Sequence, residues 1–346
     1  MRKRPAKFIS AVPAWLKKLF FQAVFPILAL GALWCTGAFF HAFDASPFIA
    51  GIAVFASWTL LLLSLLHRRA AWALAILETS TLAAFFGITP QQRFTNTVWQ
   101  KPWRQTLETR KLADGRYELK NVRDFHYRSE HDFDIVYRTV TVDPERISSI
   151  DAVFSHWDDL EGIAHSMLGL NFADGTTVVL SLETRLPKGA EQNVLDGFYR
   201  RYELAMLAGT PEDLYGLRTD YRGETLYVYR LDADHDTRRQ MVRSLFERAG
   251  KLQRKPEFYN SLVRNCTTGL LPMLPNAGKL FAGDLRLTFN GMADKMLFEK
   301  RLIVCRKGES FGSLRARSLV PGLCRGKNAP PTHYAGESET RWLRSR

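Results

Sequence analysis

The sequence of 346 residues lacks the common motifs for nucleotides and for zinc. It has no phosphate-binding loop, no dinucleotide-binding glycine pattern and no His-Glu-x-x-His pair, so it indicates neither a cofactor nor a metal ion. It has no internal repeat, which argues against a solenoid or a propeller. Its formal net charge of +13 is compatible with nucleic acid. The membrane features described next argue against that partner.

Charge is absent from long stretches near the N-terminus. Residues 19–43 contain no Asp, Glu, Lys or Arg, and two similar stretches follow, the last interrupted only by Glu78. Each is long enough to cross a bilayer as a helix. A cleavable signal peptide is the alternative for the first stretch, but the two further stretches with short loops argue against it. We therefore predict a membrane anchor over residues 1–88, with three transmembrane helices at about residues 19–43, 48–66 and 70–88.

Basic residues flank these stretches unevenly. Six Lys or Arg residues precede the first stretch, and Arg68 and Arg69 separate the second from the third, whereas the loop around Asp44 has none. Loops rich in Lys and Arg stay in the cytoplasm. We therefore predict a multi-pass protein of the bacterial inner membrane, with everything after about residue 89 in the periplasm.

Beyond residue 117 the sequence changes to the short alternating runs that are typical of strands. An Asp174-Gly175 turn between two apolar runs predicts a hairpin. Apolar residues at helical spacing, with Asp234 or Asp236 as a possible cap, predict helices. The predicted strands cover residues 117–127, 135–142, 150–157, 163–172, 177–184 and 226–231, and the predicted helices cover 193–208, about 234–254 and 285–302. The mixture predicts an α+β domain.

Two segments border this domain, which we place at residues 117–305. Residues 89–116 are polar and contain Trp99 and Trp103. Tryptophans just beyond a membrane span are typical of the headgroup region, so this segment is predicted to be a juxtamembrane linker. Residues 306–346 form a basic, weakly patterned tail, which is either solvated or adheres to anionic lipid headgroups.

The chain has four cysteines, and three of them lie in the part predicted to be exported. Disulfides persist outside the cytoplasm. Cys305 and Cys324 flank a short segment and can close a loop. Cys266 is then the odd cysteine, which indicates a reactive thiol, although other pairings stay open.

Cys266 follows Asn265 and begins an apolar run that can form a helix. A thiol at a helix N-terminus meets unpaired N–H groups and the positive end of the helix dipole, and both favour the thiolate. We therefore expect the pKa of this thiol to lie well below its ordinary value of about 8.5. Asn265 and Thr267 are predicted to support the site or an oxyanion. The alternative interpretation is a small, buried apolar residue.

A thiolate nucleophile needs a base and a group that orients the base. His165 is embedded in an otherwise apolar, small-residue run, which makes it the first candidate for the base, with His156 next. A satisfied core histidine is the alternative. The strand that follows the hairpin offers Ser181, Glu183 and Thr184 as orienting groups. We choose Glu183 because a carboxylate best stabilises an imidazolium.

Several stretches resemble one known family. In order along the chain they are residues 124–133, 163–168, 180–185, 199–204, 217–224, 256–260 and 265–268. Together they are similar to the periplasmic domain of Lnb-type lipoprotein intramolecular transacylases. The resemblance implies a permuted papain-like core, in which His165 and Cys266 are the catalytic pair. It also implies transfer of an acyl chain from the glyceryl ester of a lipoprotein to an amine.

Three functions agree with these features. The first is a membrane-anchored cysteine acyltransferase that acts on lipoproteins or other lipid-anchored substrates, next to membrane lipids. The second is a papain-like amidase or peptidase that acts on cell-wall peptides. The third is a non-catalytic binding module of the envelope, in which Cys266 is structural. An apolar groove favours the first function, and resistance of Cys266 to alkylation favours the third.

Overall fold

A computed structural model describes residues 20–41, 46–88, 97–156, 162–261, 264–270, 280–281, 283–287 and 290–320. The chain divides into two compact units. One comprises Met1–Arg93 with Tyr199–Arg201, and the other comprises Phe94–Phe198 with Tyr202–Arg346.

Among its described residues, the first unit contains three long helices. A π-helical turn at Phe20–Val24 leads into α1 (Phe25–His41), followed by α2 (Pro47–Ser64) and α3 (Arg68–Ile88). Each is long and apolar enough to cross a membrane. The prediction of three membrane-length helices is confirmed.

Small and large apolar residues divide between the inside and the outside of this helical unit. Ala32 and Ala50 are fully buried between helices, while Leu30 and Phe55 are largely exposed. Small residues let helix backbones approach closely, and large apolar side chains on the outside suit a lipid environment. Glu78 approaches α1 at Gly31, where an added Cβ would lie 2.4 Å from the Glu78 carboxylate oxygen Oε2.

The orientation of these helices stays a prediction, because the basic residues before residue 20 lie outside the described residues. A reporter enzyme fused after residue 100 should be active only on the far side of the cytoplasmic membrane. The positive-inside rule gives this result, since three spans follow a cytoplasmic N-terminus. A fusion after residue 67 should lie in the cytoplasm and is the control. Activity of the residue-100 fusion inside the cytoplasm would show that the predicted orientation is wrong.

In the part of the second unit that the structure describes, eight strands form one sheet with the order β1-β2-β9-β8-β7-β6-β10, in which β5 also pairs with β2. A separate two-stranded sheet pairs β3 with β4. The strands are β1 (Glu108–Lys111), β2 (Tyr117–Arg123), β3 (His126–Tyr127), β4 (Phe133–Asp134), β5 (Tyr137–Val142), β6 (Ile147–His156), β7 (Ala164–Phe172), β8 (Thr177–Arg185), β9 (Glu203–Gly209) and β10 (Thr225–Arg230). The predicted α+β class is confirmed for this unit.

The centre of the sheet is the hairpin of β7 and β8. Gly175 turns the chain with a φ of +88°, and Asp174 accepts a hydrogen bond from the Thr176 N–H, so the predicted Asp-Gly turn is present. Leu168 and Leu180 are in register and contribute to the larger apolar core. Met167 and Val179 contribute to a second apolar cluster. Since successive side chains of a strand point to opposite faces, both faces of this hairpin are covered.

Within the described residues the helices of the second unit are α4 (Val194–Phe198), α5 (Pro211–Leu214), α6 (His235–Arg254), α7 (Cys266–Leu270), α8 (Ala293–Glu299) and α9 (Phe311–Ser318). The long helix α6 begins where the sequence predicted, since Asp234 accepts a hydrogen bond from the Thr237 N–H at 2.7 Å. Its residues Met241, Leu245 and Phe246 pack into the larger apolar core.

The prediction of a helix over residues 193–208 is wrong. Helix α4 covers only Val194–Phe198, Arg200 has a left-handed φ of +57°, and β9 follows. All seven residues of β9 are buried, and the strand pairs with both β2 and β8. A strand buried on both faces has no alternation of apolar and polar residues, so its pattern resembles that of a buried helix.

The helix predicted over residues 285–302 is also interrupted. Two 3-10 turns, Leu285–Leu287 and Asn290–Met292, precede α8. Asn290 and Gly291 are poor residues for a helix interior, and the Asn290 side chain makes hydrogen bonds elsewhere in the unit, described below.

Both border segments contain elements of the second unit. Strand β1 lies in the predicted linker and pairs with β2. Helix α9 lies in the predicted tail, where Leu314 is buried and Leu319 bridges to Tyr227. Residues 321–346 lie outside the described residues. Cys305 is exposed with a free thiol, so its predicted disulfide to Cys324, a residue outside the described part of the chain, is not formed in the structure.

Candidate functional site

Cys266 is the first residue of α7, and Asn265 caps that helix. The side-chain oxygen of Asn265 accepts hydrogen bonds from the N–H groups of Thr267 and Thr268 at 2.9 and 2.8 Å. Its own backbone N–H donates to the Thr268 hydroxyl at 2.8 Å. These bonds satisfy donors that a helix start leaves unpaired. The predicted helix start is present, and Asn265 supports it.

Helix α7 is held closely against β7 and β8. The Thr267 hydroxyl lies 2.5 Å from the Ser166 hydroxyl on β7. At Gly269, an added Cβ would lie 2.1 Å from Leu182 Cδ2, and Leu182 is itself buried in the core. Glycine at this position allows the close approach. Thr267 therefore links the helix to the strand that carries His165.

The Cys266 sulfur is buried and surrounded by hydrogen-bonding groups. It lies 3.9 Å from the Ala164 carbonyl oxygen and 3.3 Å from Asn290 Nδ2, whose amide donates to it. Burial raises the pKa of the thiol above its ordinary value, although the backbone N–H groups of Ser166 and Thr267 act in the opposite direction. The predicted fall in this pKa is therefore wrong for the resting protein, because burial outweighs the donors.

Asn290 was not recognised from the sequence. Its Oδ1 accepts a hydrogen bond from the Ala164 N–H at 2.9 Å, and its Nδ2 donates to the Thr267 hydroxyl at 2.8 Å. The residue is 4 % exposed. It thus bridges β7 and α7 beside the sulfur. The Asn290-Gly291 pair disfavours a helix interior, and this was the sequence signal that could have pointed to Asn290.

His165 lies on β7 between Ala164 and Ser166, the two residues that border the sulfur. Its Nε2 is 2.7 Å from the Ser181 hydroxyl and 3.6 Å from Glu183 Oε1. The Ser181 hydroxyl donates to Glu183 Oε1 at 2.9 Å. The structure therefore joins the predicted base to the predicted carboxylate, with Ser181 between them. Within the described residues no hydrogen bond joins His165 to Cys266.

This order of bonds assigns the proton on the imidazole. Ser181 has one hydroxyl proton, which it donates to Glu183, so its oxygen accepts from His165 Nε2–H. Burial, and then the charge of Arg218, lower the pKa of His165 to about 3, although Glu183 opposes them. A neutral imidazole that is protonated on Nε2 has its lone pair on Nδ1. His165 is thus in the form that accepts a proton.

Glu183 is held by further donors. Trp103 Nε1 donates to its Oε2 at 2.7 Å, and Arg218 Nη2 donates to its Oε1 at 3.3 Å. Burial raises the pKa of Glu183, but the charges of Arg218 and Arg123 and the indole N–H of Trp103 outweigh burial and hold it below the ordinary range. The carboxylate is therefore ionised at neutral pH.

Residues 135–291 match the family model described as the Lnb N-terminal periplasmic domain. This segment is similar to the domain that the model describes. The resemblance predicted from the sequence is confirmed, and the Lnb-type segment contains His165, Glu183, Cys266 and Asn290. The family description and the three membrane-length helices together indicate a membrane protein with a periplasmic domain. Searches of curated proteins and of solved structures gave no significant match to the chain.

His156 is a second histidine near the Lnb-type site. It ends β6 in register with Ala164, and its ring packs edge-on against Tyr227 at a centroid distance of 5.6 Å. Its Nε2 is buried and has no hydrogen-bond partner among the described residues. Burial lowers the pKa of His156, while Asp294 opposes the shift. His156 stays the second candidate for the predicted base, after His165.

Among the described residues no group of three or more potential ligands can hold a metal ion.

A buried ion pair stabilises the end of β2 beside this site. Asp213 on α5 accepts hydrogen bonds from Arg123 Nη2 at 2.7 Å and from the Phe125 N–H at 2.9 Å. The Tyr127 hydroxyl also donates to it at 3.1 Å. The side chains of Arg123 and Asp213 are 2 % and 0 % exposed. The Arg123 charge also contributes to the lowered pKa of Glu183.

Proposed function

We propose that this protein is a cysteine acyltransferase of the bacterial inner membrane. In this proposal it transfers an acyl chain from the glyceryl ester of a lipoprotein to an amine, through a thioester on Cys266. The family match supports the envelope location and the kind of domain. The chemistry rests on the site geometry.

One observation carries the proposal: the Cys266 sulfur lies among several N–H donors. The Asn290 amide is 3.3 Å away, and the backbone N–H groups of Ser166 and Thr267 favour the thiolate. A cysteine that only fills a core needs no such donors. Donors arranged around a nucleophile can also bind the oxygen that becomes negative when a carbonyl is attacked. Asn290 and the Cys266 N–H are the proposed donors to that oxygen.

The proposed first half-reaction forms the thioester. The Cys266 sulfur attacks the ester carbonyl carbon while His165 Nδ1 takes the thiol proton. The tetrahedral intermediate then expels the glyceryl oxygen, which leaves as an alcohol with the proton from His165. Because both groups are neutral at rest, the proton moves during the attack. His165 shares no hydrogen bond with Cys266 in the resting structure, and its side chain projects from the face of β7 opposite to Ser166 and α7. The proposed proton transfer therefore requires the start of β7 to rearrange when the substrate binds.

The second half-reaction passes the acyl chain to an amine. The amine attacks the thioester carbonyl and gives a proton to His165, and Cys266 leaves as the thiol when that proton returns to it. Glu183 and Ser181 orient the imidazole and stabilise its charged form in both halves. The three membrane-length helices support a lipid-anchored substrate, since confinement to one bilayer raises the effective concentration.

Intact-mass measurement of the purified full-length protein, after incubation with diacylated lipoprotein, tests this proposal. We expect a mass increase of one acyl chain that maps to Cys266 and disappears with hydroxylamine. A peptide adduct would instead indicate the amidase. No adduct on Cys266, in a preparation that retains the folded domain, would contradict the thioester mechanism.

The lowered pKa of His165 predicts an unusual pH dependence. An ordinary histidine has a pKa of about 6.5 and would be only about 3 % neutral at about pH 5. With a pKa of about 3, His165 is still a base there. Thioester formation on Cys266, the half-reaction that involves no amine, should therefore stay nearly constant from about pH 7 to about pH 5, measured with full-length protein in detergent micelles.

Folding must be followed in the same experiment by circular dichroism. A histidine that is neutral in the folded state binds a proton in the unfolded state below about pH 6.5, so the folded state loses stability as the pH falls. A rate that falls about 30-fold by about pH 5 in folded protein would exclude a buried, neutral His165 as the base. Retention of activity in His165→Ala together with its loss in His156→Ala would assign the role to His156.

A further inference from the structure

The segment that follows the membrane helices docks along the end of β8. The Gln100 N–H donates to the Leu186 carbonyl at 3.0 Å, and the Lys188 N–H donates to the Val98 carbonyl at 2.7 Å. Trp99 forms a β-bridge with Pro187. These bonds extend the strand pairing past β8, so residues 98–100 have a fixed position in the second unit.

Arg185 fixes the next part of this segment. Its Nε donates to the Trp103 carbonyl at 2.8 Å, and its Nη2 donates to the Arg104 carbonyl at 2.7 Å. Its guanidinium also lies 4.3 Å from the centroid of the Trp99 ring. Arg185 is itself anchored by Glu203 at 2.8 Å. The backbone at Trp103 is therefore held two residues along β8 from Glu183.

Trp103 reaches the carboxylate of the site. Its indole N–H donates to Glu183 Oε2 at 2.7 Å, while Ser181 and Arg218 donate to Oε1. The two oxygens of Glu183 thus accept hydrogen bonds from different groups. A carboxylate held at both oxygens cannot rotate Oε1 away from Ser181. The sequence had placed Trp103 in the lipid headgroup region, but its indole is bonded within the sheet unit.

We propose that Trp103 is a positioning residue for Glu183, so that the segment between the membrane helices and β1 contributes a side chain to the catalytic site. The inference rests on the proposed function of Cys266 and His165. Trp103 acts through Glu183 and touches no reacting atom. Loss of its N–H lets the carboxylate turn away from Ser181, and His165 then loses its orientation.

The test is the rate at which iodoacetamide alkylates Cys266 in the full-length protein, followed by mass spectrometry across about pH 5–8. Trp103→Phe keeps the ring but removes the N–H. We expect its rate at neutral pH to fall about tenfold, the effect of one hydrogen bond to a charged group. Trp99→Phe is the matched control and should label like the wild type.

A second comparison separates positioning from general destabilisation. Glu183→Gln should slow the labelling, and Trp103→Phe added to Glu183→Gln should slow it no further, because both changes remove the same function. Additive losses, or an equal loss in Trp99→Phe, would overturn the inference. If Trp103→Phe is labelled at the wild-type rate while His165→Ala is labelled slowly, the role of Trp103 is overturned and the proposed base is not. Wild-type labelling of His165→Ala would overturn the proposed base, and the inference with it.

Discussion

Replacing Cys266 with serine should reduce acyl transfer by at least about 10³-fold while the domain stays folded. A hydroxyl is a far weaker nucleophile than a thiol, and loss of a nucleophile removes the covalent intermediate entirely. Serine preserves the small size of the side chain and its contact with Asn290, so α7 should remain docked on β7. Membrane insertion should not change, because α1, α2 and α3 belong to the other unit.

The measurement is the shift of an acyl chain on a purified lipoprotein, read by mass spectrometry of the lipidated peptide. Cys305→Ser is the matched control, since Cys305 is an exposed free thiol, and it should act like the wild type. Wild-type activity in Cys266→Ser would end the mechanism proposed here. A large loss in Cys305→Ser as well would indicate a general requirement for thiols rather than one nucleophile.

The largest expected loss of stability follows from Asp213→Ala. This change leaves the Arg123 guanidinium buried without its counter-charge and removes the acceptor of the Phe125 N–H and the Tyr127 hydroxyl. Breaking one side of a buried pair costs about 3–5 kcal/mol. We therefore expect the free energy of unfolding of the periplasmic unit to fall by about that amount.

Urea unfolding, followed by tryptophan fluorescence in detergent micelles, measures this loss. Asp132→Ala is the control, because Asp132 pairs with Arg128 on the surface and a surface pair contributes little. A loss no larger than that of the control would show that water or a rearranged side chain compensates Arg123. Asp213→Asn should lie between the wild type and Asp213→Ala, since the amide oxygen still accepts hydrogen bonds.

Local signals were sufficient to predict several elements. The Asp174-Gly175 turn identifies the β7–β8 hairpin because its chemistry is contained in two residues. The start of α6 is likewise determined by one capping side chain, Asp234. Strand β9 was missed because its conformation depends on partners that lie far away in the chain. Asn290 was missed for the same reason, since its hydrogen bonds reach β7 and α7.

At the site, too, local signals could be read from the sequence, whereas contacts between distant residues could not. His165 and Glu183 were identified by residue type, and the structure connects them, but through Ser181 rather than directly. The pKa of Cys266 was predicted in the wrong direction because a helix start can be read from sequence, whereas the depth of burial cannot. The position of Trp103 along the chain did not predict its contacts. A tryptophan shortly after a membrane span is typical of the headgroup region, yet its indole is bonded to Glu183.

The position of β9 has a consequence for how the domain assembles during export. This strand joins β2 on one side to β8 on the other. The strands made before it therefore form two separate sheets, β1-β2-β5 and β6-β7-β8. Until residue 209 has crossed the membrane, β8 presents an unpaired edge from Val179 to Arg185. An unpaired edge of this kind recruits other strands, so a chain that stalls in translocation before residue 203 is a substrate for periplasmic chaperones and for aggregation.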